Sequence, residues 1–573
     1  MRPRILITAA LSFCLLYGCG GSASDSSGNA TLSSSSTSSS SSSANASSSL
    51  SSASSSSATS SSASSAAASS SATESWTIST GANSADALTG RSFKSLAIAL
   101  GTMTISSSDL TVGTTSNSST PITLNGSTIA TIAEDSSGLT ITATGSESID
   151  FALSGTYSKT ITIYSASDFK LSLNSATIAS TDGPAINIQS KQRAFVTLTG
   201  TNTLSDTSTW TARTLADGGS MDLKGTVFSE GPLIFSGSGS LGVTAASKHA
   251  LCSDAHMRLA SGTVTLTAKK KDGIRTNNAF VMDGGSLTIT TATGKGIKVE
   301  GKEDSSTPIG FVAINAGTLN ITSYDKAITA SWESAEDGTT TTLADDPDPR
   351  VTINGGALSI TTTGTPYETT TDSLSPEGIE AKSVLTITGG TLTINTTDDG
   401  LNAGTGIVIS GGTLYVKSSV NDAIDSNGIM TISGGMVVAD GASGAEGGFD
   451  CDSNTFTVTG GTFIGIGGRN SSVTKSASTQ NTVALGNVSA GLLVIKDAAG
   501  NIAFAYTMPE TSGAVLLSSS ALKTGTSYTV YRGGSIGSHT TLFNGLYIGG
   551  SSYSGSTSTG SSFTISSTVT TIN

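Results

Sequence analysis

Residues 384–428 read VLTITGGTLTINTTDDGLNAGTGIVISGGTLYVKSSVNDAIDSNG. The stretch states one pattern twice. Leu385-Thr386-Ile387-Thr388 alternates, Gly389-Gly390 interrupts, Thr391-Leu392-Thr393-Ile394 alternates again, and Asp399-Gly400-Leu401-Asn402 opens the next unit. Gly411-Gly412 and Asn421-Asp422-Ala423-Ile424-Asp425 then repeat the order. Period-two alternation is the mark of a strand with one face buried, and paired glycines mark a tight turn.

The unit recurs about every 23 residues from roughly Lys224 to Gly468. Gly284-Gly285, Ala316-Gly317, Gly355-Gly356, Gly434-Gly435 and Gly460-Gly461 are further copies of the turn. Three short strands in so short a repeat predict an all-β chain: a right-handed parallel β-helix. A β-propeller blade would need about 40 residues. Stacking the repeats assigns inside and outside. Leu287, Leu319, Leu358, Leu392, Leu414, Val437 and Phe463 should form one inward column, and Met282, Ile314, Ile353, Ile387, Ile409, Ile432 and Val458 a second. On the opening strand Ile274, Ile297, Ile328, Ile379, Leu401, Ile424 and Phe449 should face in, while Arg275, Lys298, Thr329, Glu380, Asn402, Asp425 and Asp450 face out. Cys451 becomes a small core residue, and Cys252 lies about seven coils away, too far to bridge to it.

Beyond the repeat the chain divides further. Arg2 and Arg4 precede an apolar run, Ile5 to Tyr17, and Leu16-Tyr17-Gly18-Cys19 resembles a lipobox, so residues 1–19 read as a lipoprotein signal with Cys19 lipidated. Residues 20–75 are dominated by Ser, with Ala, Thr and a few others, a spacer unable to bury enough apolar area to fold. Residues 76–223 read as a β cap with early coils, 224–470 as the helix, and 478–573 as a small C-terminal antiparallel β-module over the last rung. The expected place is the bacterial cell envelope, with the chain membrane-anchored through lipid and exposed at the surface. A net charge of −13 speaks against a nucleic-acid partner.

The outward residues of the later coils are strongly acidic: Glu377, Glu380, Asp398, Asp399, Asn402, Asn421, Asp422, Asp425, Asp450 and Asp452. Rungs about 4.8 Å apart would set like charges against each other at about 3 kcal/mol for an effective dielectric near 20. Bound Ca²⁺, which takes six to eight oxygens, would remove that cost; a solvated face with partial protonation is the other way to meet it. Zinc is not expected, since His249, His256 and His539 are scattered.

Earlier coils carry Lys269, Lys270, Lys271, Arg275, Lys295, Lys298 and Lys302 on or near the same flank, able to grip uronate carboxylates or simply to balance the acidic end. Trp332, Tyr324 and Tyr415 are candidate sugar platforms or packing residues. Insertions near 301–310, 332–350 and 361–376 flank the opening strand, the usual way a solenoid builds a binding face. No triad, P-loop or redox motif is evident, and a Lys298 or Arg275 base for β-elimination is the nearest route to catalysis.

These motifs, in order with the closing Gly525-Thr526-Ser527-Tyr528 segment, resemble a bacterial family of cell-surface carbohydrate-binding proteins on a β-helix similar to family 9 polysaccharide lyases. The resemblance spans roughly Ile105 to the end. It implies binding of plant-cell-wall polysaccharide, pectin-like acidic chains included, with calcium held by surface side chains. The expectation is a calcium-assisted polysaccharide binder rather than an enzyme, with a polyuronate lyase and a structural adhesin as alternatives.

Overall fold

In a computed structural model of the chain the described residues are 75–214, 218–301, 310–332, 348–555 and 558–572. The signal segment, Cys19, the Ser-rich tract, Lys302 and most of two insertions lie outside them. Among the described residues there is no α-helix; the one helical element is the 3-10 turn Ser84–Asp86. No helix there is long and apolar enough to cross a membrane. Strands assemble into a 27-stranded and a 15-stranded sheet, most neighbours parallel, with one coil between partners. The result is a parallel β-helix-like fold.

Registers follow the repeat. Leu287 pairs with Leu319, Leu319 with Leu358, Leu358 with Leu392, and Leu392 with Leu414. Ahead of the glycine turns Met282, Ile314, Ile353, Ile387, Ile409 and Ile432 are matched in the same way. The opening strands run Ile274, Ile297, Ile328, Ile379, Leu401, Ile424, Phe449. All of these side chains are buried in one continuous core, each fully buried Leu or Ile contributing about 1.5–3 kcal/mol. Cys451 belongs to that core; Cys252 is also buried, and both thiols are free.

The glycine pairs are dictated by geometry. Gly412 has φ +87°, the left-handed region where a Cβ is strained, and a Cβ on Gly411 would sit 2.2 Å from the Thr388 carbonyl of the rung before. Stacked turns leave no room for side chains there.

Parallel stacking starts well before Lys224, with Phe151 on Leu171 and Ile186 on both Ile161 and Val227. Residues near the start of the described chain run along the outside of the coils. Trp76 meets Phe311 edge-on at 5.4 Å, and buried Asp86 takes ion pairs from Arg193 and Arg258 at 3.1 and 2.9 Å and a hydrogen bond with the His256 ring at 3.0 Å. At the other end Ala514–Ser518 runs antiparallel along Thr462–Gly467. A six-stranded antiparallel sheet, including Gly491–Asp497, Ile502–Met508 and Ser527–Arg532, belongs to a second core that covers Val438, Ile464 and Ile466 from outside.

Candidate functional site

Because the opening strand alternates, its middle residue must face out. Arg275, Lys298, Thr329, Glu380, Asn402, Asp425 and Asp450 are successive neighbours on one ladder. A second ladder lies beside it on the preceding turn. Backbone bonds from Gly273 to Lys295, Gly296 to Lys326, Ala327 to Glu377, Gly378 to Asp399 and Gly400 to Asp422, all 2.9–3.2 Å, put those residues on consecutive rungs. Glycine is needed after Asp399 because a Cβ on Gly400 would stand 2.1 Å from Val416. Both ladders run from cations to carboxylates along the axis.

At the basic end the cations already hold carboxylates. Arg275 bonds Glu300, Lys298 lies 2.5 Å from the same carboxylate, and Lys295 is 3.2 Å from Asp325. Burial opposes the charge on Arg275, yet Glu300 holds its pKa above the ordinary value, so it is poorly suited to act as a base. Lys271 is exposed in the turn before this strand.

The middle of the ladders holds a group that inspection of the sequence missed. Lys326 Nζ lies 2.8 Å from Glu377 and 3.3 Å from Glu380, while Lys382 also bonds Glu380 and Thr329 donates to it at 2.6 Å. Burial and the neighbouring Glu380 push Glu377 up; Lys326 and Lys382 overcome burial to hold Glu380 down. The two glutamates thus answer cations of this chain. Asp325-Lys326-Ala327-Ile328 has the same form as Asn421-Asp422-Ala423-Ile424, and that alignment was the available signal.

Among the described residues no Lys or Arg pairs with Asp398, Asp399, Asp422 or Asp425. Asp398, Asp399 and Asp422 are almost wholly buried and Asp425 half-buried. Asn402 donates to Asp399 at 3.0 Å, Asn421 to Asp398 at 3.0 Å, the Asp422 amide to Asp399 at 3.1 Å, and the Gly447 amide to Asp422 at 2.6 Å. These donors do not compensate the charge. Burial, then the repulsion of Asp425, Glu377, Asp398 and Asp422, raises Asp399 well above the carboxylate range. Asp422 is pushed up to about 8 by burial with Glu446, Asp450 and Asp425 nearby, and Asp425 to about 7 by burial with Asp450 and Asp452.

Asp450 accepts from Ser471 at 2.6 Å and lies 3.6 Å from Arg469, and Asp452 is exposed. The ten acidic and amide residues picked from the sequence therefore separate into three groups. Glu377 and Glu380 sit with lysines, Asp450 and Asp452 stand at the far end, and Asp398, Asp399, Asn402, Asn421, Asp422 and Asp425 form a contiguous set between. Among the described residues no three His, Cys, Asp or Glu side chains stand in a metal-enclosing arrangement. The central set is made of carboxylate and amide oxygens, hard donors of the kind Ca²⁺ takes.

A cleft of about 530 Å³ opens over the middle of the ladders. Lys295, Lys326, Lys382, Glu380 and Asn402 line its floor, and Thr371, Asp372 and Ser373 form a wall. That wall is the insertion at 361–376, a hairpin in which Tyr367–Glu368 pairs with Ser373–Leu374 and the Tyr367 hydroxyl donates to Asp372 at 2.6 Å. Tyr367, not singled out from the sequence, is 45% exposed, and Tyr324, on a flanking turn, is 37% exposed. Trp332 ends its strand opposite Gly301. Tyr415 is elsewhere: it lies on the strand after a glycine turn, packs against the C-terminal core and approaches Asp440 at 3.4 Å. Its packing reading is the one the structure favours, because the tail module covers that rung.

Comparison with known proteins adds a family. No curated protein matches the chain. One solved structure, the polysaccharide lyase-like protein from C. thermocellum (gadolinium derivative), aligns with a TM-score of 0.33 at 18% identity, covering 47% of this chain and 94% of that one. The model of the family described as carbohydrate-binding domain-containing protein matches residues 134–422, just over half of the chain and the stretch that holds most of the cleft lining and most of both charged ladders. The chain belongs to that family of carbohydrate-binding domain-containing proteins.

Proposed function

We propose that the protein binds polysaccharide along the charged face of its opening strands, with calcium completing the acidic end. The observation that carries this reading is the stacking of Asp399, Asp422 and Asp425 on two adjacent rungs, buried or half-buried, raised first by burial and then by neighbouring carboxylates, with no Lys or Arg paired to them among the described residues. A divalent cation there would restore the ionised state and offer open coordination to a ligand's oxygens. Asp398, Asp399, Asn402, Asn421, Asp422 and Asp425 would hold it. The adjoining cleft, with Lys295, Lys326 and Lys382, has the volume and polar lining to take part of a single chain, and the substrate class is plant-cell-wall polysaccharide, acidic pectin-like or cellulosic. We read each coil as three strands wound right-handedly, and the whole as displayed from the cell envelope on a lipid anchor at Cys19.

A binding screen of residues 76–573 on polygalacturonate and neutral wall glycans, in calcium and then in chelator, tests this. Binding to polygalacturonate should fall at least tenfold on chelation, and equally in Asp422→Ala with Asp425→Ala. Retention unchanged by both treatments would refute the calcium site.

A further inference from the structure

The strands that follow the glycine turns carry a second, chemically different face. Thr265, Thr288, Asn320, Ser359 and Thr393 are neighbours on consecutive rungs. Ladders beginning at Thr263 and Thr267 flank them in the same registers. Along each of these strands outward residues are exposed or half-buried and alternate with buried Leu, Val or Ile. Rungs about 4.8 Å apart and outward residues about 6.6 Å apart along each strand make a two-dimensional lattice of hydroxyl, methyl and amide groups.

Two features set this lattice apart from ordinary strand surface. Protein surfaces commonly carry about a quarter or more Lys, Arg, Glu and Asp, yet no outward position on these five strands is charged. The same central ladder then changes character where protein covers it. Beyond Thr393 it continues as Tyr415, Val438 and Ile464, and those residues pack under the C-terminal module. Hydroxyls occupy the ladder where the tail does not reach, and apolar groups where it does.

An isolated exposed hydroxyl gains little by exchanging water for a ligand. A regular array gains only against a rigid, repeating partner, where many weak contacts form together at high effective concentration. A single flexible chain is better served by a cleft. Sugar rings present C–H patches beside hydroxyls, which threonine's methyl and hydroxyl complement. Absence of charge on this face suits a neutral polymer, and the rungs concerned lie within the carbohydrate-binding family match. We infer that this face is a second binding site, which takes the surface of an uncharged, ordered polysaccharide with chains packed side by side. The inference rests on the polysaccharide-binding reading, but not on calcium or on the charged cleft.

Sedimentation of the protein with microcrystalline cellulose, in chelator so that the charged face is silent, is the test. Wild type should co-sediment, and Thr265→Lys with Thr288→Lys and Thr393→Lys should weaken retention at least tenfold while calcium-dependent capture on polygalacturonate is kept. If the lysine variant loses both, the milder Thr265→Ala with Thr288→Ala and Thr393→Ala is decisive: a several-fold loss on cellulose alone supports the site, and unchanged retention overturns it. The double variant Asp422→Ala with Asp425→Ala should still sediment with cellulose; its failure to do so would show one site, not two. Wild type that ignores cellulose but is captured by growing ice would also overturn the inference, as a lattice read by water. Polygalacturonate binding without any cellulose binding removes this face and leaves the proposed function intact; binding to neither removes both.

Discussion

Two faces of one solenoid, built on the same coils in the same register, differ as sharply as surfaces of one protein can. The opening-strand face carries stacked cations and carboxylates, half-buried beside a cleft. The face after the glycine turns carries threonine, serine and asparagine, with no charge over five rungs. The backbone demands are alike, since both alternate and both bury their inward residues. What differs is company. Charges gather where insertions and turns of neighbouring rungs converge and can partner or repel one another; the open lattice has no such neighbours. Stacking amplifies whatever is placed outward, because every choice is repeated about 4.8 Å away.

The largest break in this contrast should come from Lys326. Lys326→Met would leave two largely buried glutamates without the cation between them, and the unfolding free energy from urea titration should drop by about 3 kcal/mol. Glu377→Gln in the same background should recover part of that loss, and a merely additive result would mean that the three groups do not act as a unit.

A smaller effect should appear with pH. Asp422 at about 8 and Asp425 at about 7 stand above their unfolded value of 3.8, so the folded state retains protons that the unfolded state has lost. Stability from this source is complete below about pH 4 and is lost as pH rises through 7 to 8, at up to roughly 1.4 kcal/mol per unit for each retained proton. In chelator the urea midpoint should therefore fall between pH 5 and pH 8, and calcium at pH 8 should restore it. Asp422→Asn with Asp425→Asn should flatten the profile. A midpoint that rises over the same interval would contradict the assigned direction.

The smallest effect belongs to the other face. Thr265→Val should change stability by no more than about 0.5 kcal/mol, as expected for an exposed residue with no intrachain side-chain bond. A loss near 2 kcal/mol would give the hydroxyls a structural duty and blur the contrast between the faces.

Much of the architecture was readable from residue order. The Leu and Ile columns, the outward ladder from Arg275 to Asp450, the core place of Cys451 and the unpaired thiols all follow from aligning the glycine turns. The site was readable only in part. Asp399, Asp422 and Asp425 were found because acidic residues repeat beside the Gly/Ala-Ile/Leu openings. Lys326 was passed over because it breaks that acidic run, although it stands at the same place in its coil. Tyr367 was hidden in an insertion with no repeat to align; Tyr415 and the C-terminal module were both visible, but not that the module packs back onto Tyr415.

By itself, residue order determined the stacking: alternation with a coil period leaves one register in which every apolar side chain is buried, and a slip by one residue would turn the whole set outward. Tertiary structure alone decided which charges meet. Lys326 and Glu377 are 51 residues apart in number yet on adjacent rungs, because an insertion intervenes, and their ion pair depends on a 2.8 Å approach that no spacing rule foresees. Burial is a property of the pattern; pairing is a property of distance.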